Sequence, residues 1–156
     1  MFDYRLEHMF SVSVGTLRMA RIGSVPEGIL NDCAFTGGEV TGPQMRGSLR
    51  PEGWGRFLVR TDGVGIVDVH ASIDTEDGAL VAVMYYGRLD LGEDGYPTYL
   101  QSGLEGFLPG DIQLRLSLHF HTTHSNYRWL NRVQGLGIGL IELARSVVIY
   151  DVYAVR

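Results

Sequence analysis

Hydrophobic and polar residues alternate along most of the chain, with the period of two that is typical of strands with one buried face. The alternation is clearest in residues 4–14, 64–73 and 112–121. In the first range, one face is predicted to carry Tyr4, Leu6, His8, Phe10, Val12 and Val14. In the other two, apolar residues oppose the polar side chains of Asp68, His70, Ser72, Ser117, His119 and His121. These ranges predict half-solvated strands.

Two further stretches, 79–87 and 146–155, are apolar on nearly both faces, so each needs cover on two sides. A subunit interface would supply it, and we expect a homodimer. Helical patterns stay short, the best being "NYRWLNRV" and "LIELARS". The 21 glycines cluster in turn-like groups between the strands. The pattern therefore predicts an all-β fold, a closed antiparallel β-barrel with few short helical turns, as one domain over residues 1–156.

Composition narrows the range of partners. A net charge of -5 argues against nucleic acid, because phosphate binding rests on clustered Lys and Arg. No apolar run is long enough for a membrane helix, and the N-terminal residues do not follow the order of a secretion signal. Cys33 is the only cysteine, which excludes an intrachain disulfide. We expect a cytoplasmic protein without nucleic-acid or membrane partners.

Three histidines lie within six positions in "HFHTTH", residues 119–124. His119 and His121 share one strand face, the spacing at which two imidazoles reach one metal, and His124 could add a third ligand. No carboxylate or further histidine completes the set by its spacing, so a polar strand face is the favoured interpretation and no metal is predicted.

Asp68 and His70 form a second pair on one strand face, where a carboxylate can orient an imidazole as a general base. A surface pair of little consequence is the alternative. In a closed barrel, inward residues of separate strands converge, so Asp68 and His121 could meet in the lumen. Tyrosines and a tryptophan could line a pocket there, with phenol groups as donors: Tyr85, Tyr86, Tyr99, Tyr127, Trp129, Tyr150 and Tyr153. "GLGIG" lacks a surrounding βαβ unit, and no phosphate loop or nucleophile elbow is present, so no cofactor is predicted.

The order and spacing of several segments, from "GGEVTGPQMRGSLRPEGWGRFLVRTDGVGIVDVHASIDTEDGALVAVMYYG" to "YRWLNRVQGLGIG" and "VIYDVYAV", resemble the domain-of-unknown-function family 3237. The resemblance runs from about Leu6 to Val155. Its markers are Gly38, Gly42, Pro43, Arg60, Asp62, Gly63, Asp68, Thr75, Asp77, Gly78, Gly87, Tyr127, Trp129, Leu130 and Asn131. It implies a closed antiparallel barrel of the calycin or allene oxide cyclase-like type, usually dimeric, and no settled activity.

The chain departs from the family pattern at two places. Members tend to carry Gly-Asp-Trp where this chain has Trp54, Gly55 and Arg56, and Phe-Glu-Thr where it has Phe120, His121 and Thr122. If the family's polar residues ring one lumen, the acids at the positions of Gly55 and His121 are gone while Asp68 stays. A carboxylate and a histidine would then remain, a pair suited to moving a proton near neutral pH.

These observations predict a cofactor-independent cyclase, isomerase or lyase acting on a hydrophobic, carbonyl-bearing compound such as a polyketide or aromatic intermediate. His121 would relay a proton, Asp68 would orient it, and Arg60 or a tyrosine would steady a developing enolate. The predicted substrate-binding residues are Tyr127, Trp129, His70, His119, Tyr99 and Asn131. The alternatives are a non-catalytic barrel that binds a hydrophobic small molecule and a structural subunit with a filled lumen.

Overall fold

The structure is a computed structural model that describes residues 1–15, 17–108, 110, 112–142 and 145–156. Strands dominate it, as the alternation predicts. They are β1 Leu6–Val14, β2 Leu17–Val25, β3 Gly28–Phe35, β4 Gly38–Thr41, β5 Gly47–Leu49, β6 Trp54–Val59, β7 Val64–Thr75, β8 Leu80–Asp90, β9 Gln113–His121, β10 Gln134–Glu142 and β11 Val147–Val155. Helix α1 spans Gly95–Ser102, and two 3-10 segments span Gly103–Gly106 and Ser125–Arg132.

Pairing of the strands closes an eight-stranded antiparallel barrel, which confirms the predicted fold. Three of the eight barrel strands are interrupted and consist of two segments each: β1 with β2, β3 with β4, and β5 with β6. Strand β1 pairs with β4, which pairs with β5, and β2 pairs with β3, which pairs with β6. Both β5 and β6 lie against β7. From β7 the order runs through β8, β9, β10 and β11 back to β1. Strand β11 pairs with β1 and with no described residue of β2. The barrel wall is therefore open beside β2.

The interior of the barrel holds the apolar face of each strand, since removing that surface from water is the main gain of folding. On β9 the residues buried inside are Leu114, Leu116, Leu118 and Phe120. On β7 they include Val69, Ala71 and Ile73. The polar residues between them face outward.

The predicted face of the first strand is wrong in its first half. A bulge falls between His8 and Phe10, so that Met9 is inserted and both Met9 and Phe10 are buried. One extra residue shifts all earlier side chains to the opposite face. Leu6, predicted to share a face with Val12, is instead 44% exposed.

Helices were less predictable than strands. "NYRWLNRV" does form a helical segment, the 3-10 segment Ser125–Arg132. "LIELARS" does not begin as a helix, because residues 140–142 complete β10, and residues 143–144 lie outside the described residues. Helix α1 was not predicted: its sequence GYPTYLQS is rich in turn-forming residues.

The "GLGIG" segment is part of β10 rather than a loop, and its glycines face the packed side chains of the neighbouring strands. A Cβ atom at Gly137 would lie 2.9 Å from the Leu116 Cβ. One at Gly139 would lie 2.5 Å from the Tyr150 Cβ and 2.0 Å from the Ile149 carbonyl oxygen. The missing side chains therefore make room for residues of β9 and β11.

The two ends of the barrel differ. The segment Ser125–Arg132, here named the end plug, buries Tyr127 and Leu130 at one end. Helix α1 and the turn Gly103–Gly106, here named the mouth turn, lie at the other. Within the described residues, no helix has the length and apolar character needed to cross a membrane.

Candidate active site in the barrel lumen

An apolar cavity of about 70 Å³ occupies the lumen and is here named the inner cavity. Tyr85, Tyr150 and Cys33 supply its polar side-chain atoms, while Arg56 borders it but points outward to Asp32, with its Nε 3.4 Å from the carboxylate. No described carboxylate or imidazole lines it. Its apolar walls include Val14, Met19, Phe35, Phe57, Val67, Val69, Leu89, Leu114, Leu116, Ile141 and Val148.

Tyr85 and Tyr150 approach each other from β8 and β11, with ring centroids 6.0 Å apart. Burial raises the pKa of both phenols, so both hold their protons at neutral pH. The interaction between the two phenols opposes this rise at Tyr85 and adds to it at Tyr150.

Cys33 borders the same cavity from β3. Burial, followed by the nearby Asp32 charge, raises its pKa to about 12, so it is a neutral thiol. All three titratable groups of the inner cavity are thus uncharged hydrogen-bonding groups rather than bases.

A second, more polar recess of about 510 Å³ opens beside the inner cavity and is here named the mouth. The two share the lining residues Met19, Leu104, Ile141 and Val148, so they lie side by side. The mouth lies where β2 leaves the barrel wall, and its polar groups are Arg21, Asn31, Tyr99, Ser102, Glu105 and Ser146. A small molecule can therefore meet an apolar interior and a polar rim at once.

Two residues of the mouth, Asn31 and Tyr99, are held in place by contacts with Phe57. Asn31 is 1% exposed and donates from Nδ2 to the Phe57 carbonyl at 3.0 Å. Tyr99 packs edge-on against Phe57, with centroids 5.5 Å apart. Burial, opposed by the nearby Arg21 charge, raises the Tyr99 pKa to about 12. Tyr99, predicted to bind substrate, thus lies at the mouth as a neutral phenol.

The predicted meeting of His121 and Asp68 in the lumen is wrong. Both are exposed on the outer face of the barrel, because the apolar faces of β7 and β9 point inward. Across β8, Asp68 pairs with Tyr86 and His121 with Ala82, four residues apart. Two strand spacings and four residues put the Cα atoms roughly 15 Å apart. Their catalytic roles stay predictions without a lumen geometry to support them.

Asp68 and His70 do meet, but on the outer surface. The His70 Nε2 lies 3.7 Å from the Asp68 carboxylate, with side chains 44% and 64% exposed. His70 also stacks on Trp54, with centroids 4.9 Å apart. His119 is exposed in the same cross-strand row, beyond Met84. An exposed pair of this kind contributes little to stability and shapes no lumen.

Arg60 also lies outside the lumen. It is exposed in the turn after β6 and forms an ion pair with Asp62, two residues away. The position of Arg60 therefore does not support the prediction that it stabilises an enolate. A tyrosine phenol was the other group predicted for this role.

The end plug holds three predicted substrate-binding residues in structural contacts. The Asn131 side chain accepts a hydrogen bond from the Thr122 N–H and donates one to the Thr122 carbonyl, both 2.9 Å. The Tyr127 hydroxyl donates to Asp77 at 2.9 Å. Trp129 is partly buried against the core. None of the three borders the inner cavity or the mouth.

His124 contributes to the same plug. Its ring Nδ1 accepts from the Asn126 N–H at 3.4 Å, at the start of the 3-10 segment. Groups of three His, Cys, Asp or Glu residues arranged to hold a metal are absent from the described part of the chain, including His119, His121 and His124.

Asp77 ties the plug to the turn after β7. Its carboxylate accepts hydrogen bonds from Thr75 at 2.6 Å, from Tyr127 and from Asn126. The bond from Thr75 is the largest of the effects that lower the Asp77 pKa to about 2. The charged form is therefore the one that the fold stabilises.

We expect Asp77→Asn to lower the midpoint of thermal unfolding at pH 7, because the carboxylate accepts bonds that an amide cannot reproduce in full. The folded pKa of about 2 lies below the ordinary value of 3.8, so this stabilisation is present above pH 4 and is lost as the pH falls toward 2. Wild type and variant should converge over that range. Glu76→Gln, at an exposed neighbour, is the control. A constant difference down to pH 2 would contradict the assignment.

The sequence is similar to those of known proteins. The sequence profile of "Protein of unknown function (DUF3237)" matches residues 4–155. The chain belongs to this family. A UPF0311 protein of Rhodopseudomonas palustris (strain TIE-1) is 28% identical over 149 residues, which are 96% of this chain and 95% of that protein.

Solved structures share the fold. The conserved protein of unknown function RPA1785 of R. palustris superposes with a TM-score of 0.85 at 24% identity, covering 100% of both chains. A "beta-barrel like protein" of Acinetobacter baumannii AYE gives 0.79 at 22% identity, covering 100% of this chain and 98% of that one. A protein described as an enzyme from Penicillium herquei gives 0.72 at 20% identity, covering 100% and 97%.

Sequence reasoning missed most of the mouth. Arg21, Asn31 and Glu105 had no motif around them, and the helix that completes the mouth was not predicted. Tyr85 and Tyr150 belonged to the aromatic set expected to line a pocket, and alternation could have marked them as inward residues. Gly55, where the family tends to carry an acid, borders the inner cavity.

Proposed function

We propose that the barrel takes up a hydrophobic small molecule bearing a carbonyl group and acts on it as a cofactor-independent cyclase, isomerase or lyase. One observation carries this proposal: two neighbouring buried phenols border an apolar cavity that lies beside a polar mouth. Apolar pockets with a few placed polar groups are the usual form of small-molecule sites. The carbonyl oxygen would accept a hydrogen bond from Tyr85.

The dimensions of the two cavities support one orientation of a ligand. The inner cavity, about 70 Å³, holds only one end of a compound, whereas the mouth, about 510 Å³, has room for the remainder. The apolar, carbonyl-bearing end would enter the lumen, and the more polar part would stay at the rim.

The chemistry that Tyr85 supports is stabilisation of negative charge on the ligand oxygen. A neutral phenol in a water-poor site would stabilise a developing enolate by donating a hydrogen bond to its oxygen. The inner cavity supplies no base among its described residues, so the carbon that loses its proton would have to lie next to the carbonyl at the boundary with the mouth, whose described carboxylate is Glu105.

The same observation favours a second candidate, a barrel that binds its ligand without changing it. The three titratable groups of the inner cavity all hold their protons, which suits recognition as well as catalysis. Both candidates need the cavity; only the first needs turnover.

Extraction of the purified protein with organic solvent, followed by mass spectrometry, tests the proposal. We expect a hydrophobic oxygen-bearing compound that is reduced in Leu116→Trp, which fills the inner cavity. Leu80→Trp, at a site 51% exposed on the same β8–β9 sheet, is the control. Conversion of the compound on incubation with fresh protein selects the enzyme, and recovery intact selects the binder. A cavity-filling variant that retains the compound would refute lumen binding.

We also propose a cytoplasmic homodimer. The outward face of β8 leaves Leu80 and Tyr86 51% and 49% exposed, as expected of a strand that is apolar on both faces. A second copy would cover them. The compartment rests on Cys33 being the only cysteine.

A further inference from the structure

Arg21 is the cationic side chain among the described residues of the mouth, and it is fixed in place before any ligand binds. Its Nη2 donates to the Tyr99 carbonyl at 3.0 Å and to the Leu100 carbonyl at 3.4 Å. These carbonyls belong to the last turn of α1, where the helix dipole favours a positive charge. The guanidinium carbon also lies 5.5 Å from the centroid of the Tyr99 ring.

A bulge directs Arg21 toward the mouth. The register of β2 against β3 shifts between Arg21 and Gly23, and Gly23 has a φ of 127°. Ile22 is the extra residue and is 53% exposed. Bulges near binding sites commonly re-aim a side chain. Here the bulge follows the one charged residue that β2 contributes to the recess.

The charge of Arg21 is not neutralised within the described chain. It makes no ion pair with any described carboxylate, and its Nε donates to no described acceptor. Both terminal nitrogens donate to backbone carbonyls, two of these bonds being long at 3.4 Å, so the positive charge and the Nε–H remain available to an anionic partner. Glu105 borders the same recess but is exposed on the mouth turn.

We infer that the ligand is a keto acid or a similar amphiphile, with a carbonyl group for Tyr85 at its apolar end and a carboxylate for Arg21 at the mouth. This rests on the proposed function and narrows its substrate class. Arg21 would act as a specificity-determining residue that binds the acid group and orients the apolar end toward the lumen.

A matched pair of probes tests the inference: 6-acetyl-2-naphthoic acid and its methyl ester, with affinities measured by calorimetry. Both carry the ketone, and only the acid carries a charge at neutral pH. We expect the acid to bind wild type roughly tenfold more tightly than the ester. Arg21→Gln should remove that preference, and Arg21→Lys should retain part of it. Glu105→Gln should increase the preference for the acid over the ester, since it removes a negative charge from the mouth.

The outcomes separate the two claims. Equal affinities of acid and ester for wild type would overturn the inference. Binding of the two ketone probes would in that case still support the lumen site. Failure of both probes to bind would overturn both. A preference that survives Arg21→Gln would overturn the assignment to Arg21. Unchanged ester affinity in that variant shows that the mouth remains folded.

Discussion

Replacing Tyr85 by Phe is expected to lower turnover of an accepted substrate by about 10² to 10³, with little change in the fold. Removing one donor from a preorganised oxyanion site typically has that effect. The ring still fills its place against Tyr150, so the apolar packing is kept. What is lost is the hydroxyl group, with its interaction with Tyr150 and its hydrogen bond to the ligand oxygen, and the latter is worth most in the transition state.

The adjacent Tyr86→Phe is the matched control, because Tyr86 belongs to the same strand but is 49% exposed on the outer face. Until a substrate is known, 2-acetylnaphthalene and 2-ethylnaphthalene serve as probes. Tyr85→Phe should weaken binding of the ketone by roughly tenfold and leave the hydrocarbon unchanged. An equal loss for both probes would mean that Tyr85 shapes the cavity without donating to the ligand.

Gly139→Ala should lower the free energy of unfolding by about 3 kcal/mol, the upper part of the range for overpacking. The new methyl group would lie 2.0 Å from the Ile149 carbonyl oxygen, a backbone atom that cannot rotate away. Relief requires β10 and β11 to separate, which would also shift Tyr150. For a chain of this length the midpoint of thermal unfolding should fall by roughly 6–12 °C.

Gly137→Ala provides the comparison two residues earlier on the same face. The three atoms nearest to its Cβ would belong to side chains, at 2.9 Å and beyond: the Leu116 and Leu118 Cδ1 atoms can rotate away, and the Leu116 Cβ needs only a small shift of β9. We expect Gly137→Ala to lower the free energy of unfolding by about 1 kcal/mol. Thermal and denaturant unfolding measure both variants. A loss at position 139 no larger than that at position 137 would show that the strands yield more easily than the geometry indicates.

The barrel was predictable because strand periodicity is a local property. Residues 64–73 and 112–121 had the right strands and the right two faces. The error lay in choosing which face looks inward. A lumen lined by Asp68 and His121 would have placed Val69, Leu116, Leu118 and their neighbours in water, at about 1.5–3 kcal/mol for each side chain. That cost outweighs the gain from any proton relay.

The mouth could not be predicted because it depends on distant segments and on irregularities. Arg21 reaches it through a bulge in β2, and Tyr99 through a helix whose sequence has the character of a turn. Neither feature leaves a periodic signal. The motif residues Tyr127 and Asn131 were visible, but they serve the end plug, so the strongest sequence signal marked stability rather than chemistry.

The opening beside β2 separates two parts of the molecule that can change at different rates. Strand pairing and the end plug form the barrel without any residue of the mouth turn, whereas α1, the mouth turn and Ser146 contribute to the rim. Insertions or exchanges in those surface segments alter the shape offered to a ligand and leave the ring of strands intact. If the proposed function holds, exchanges in these surface segments would change which ligands the barrel accepts without changing its strands.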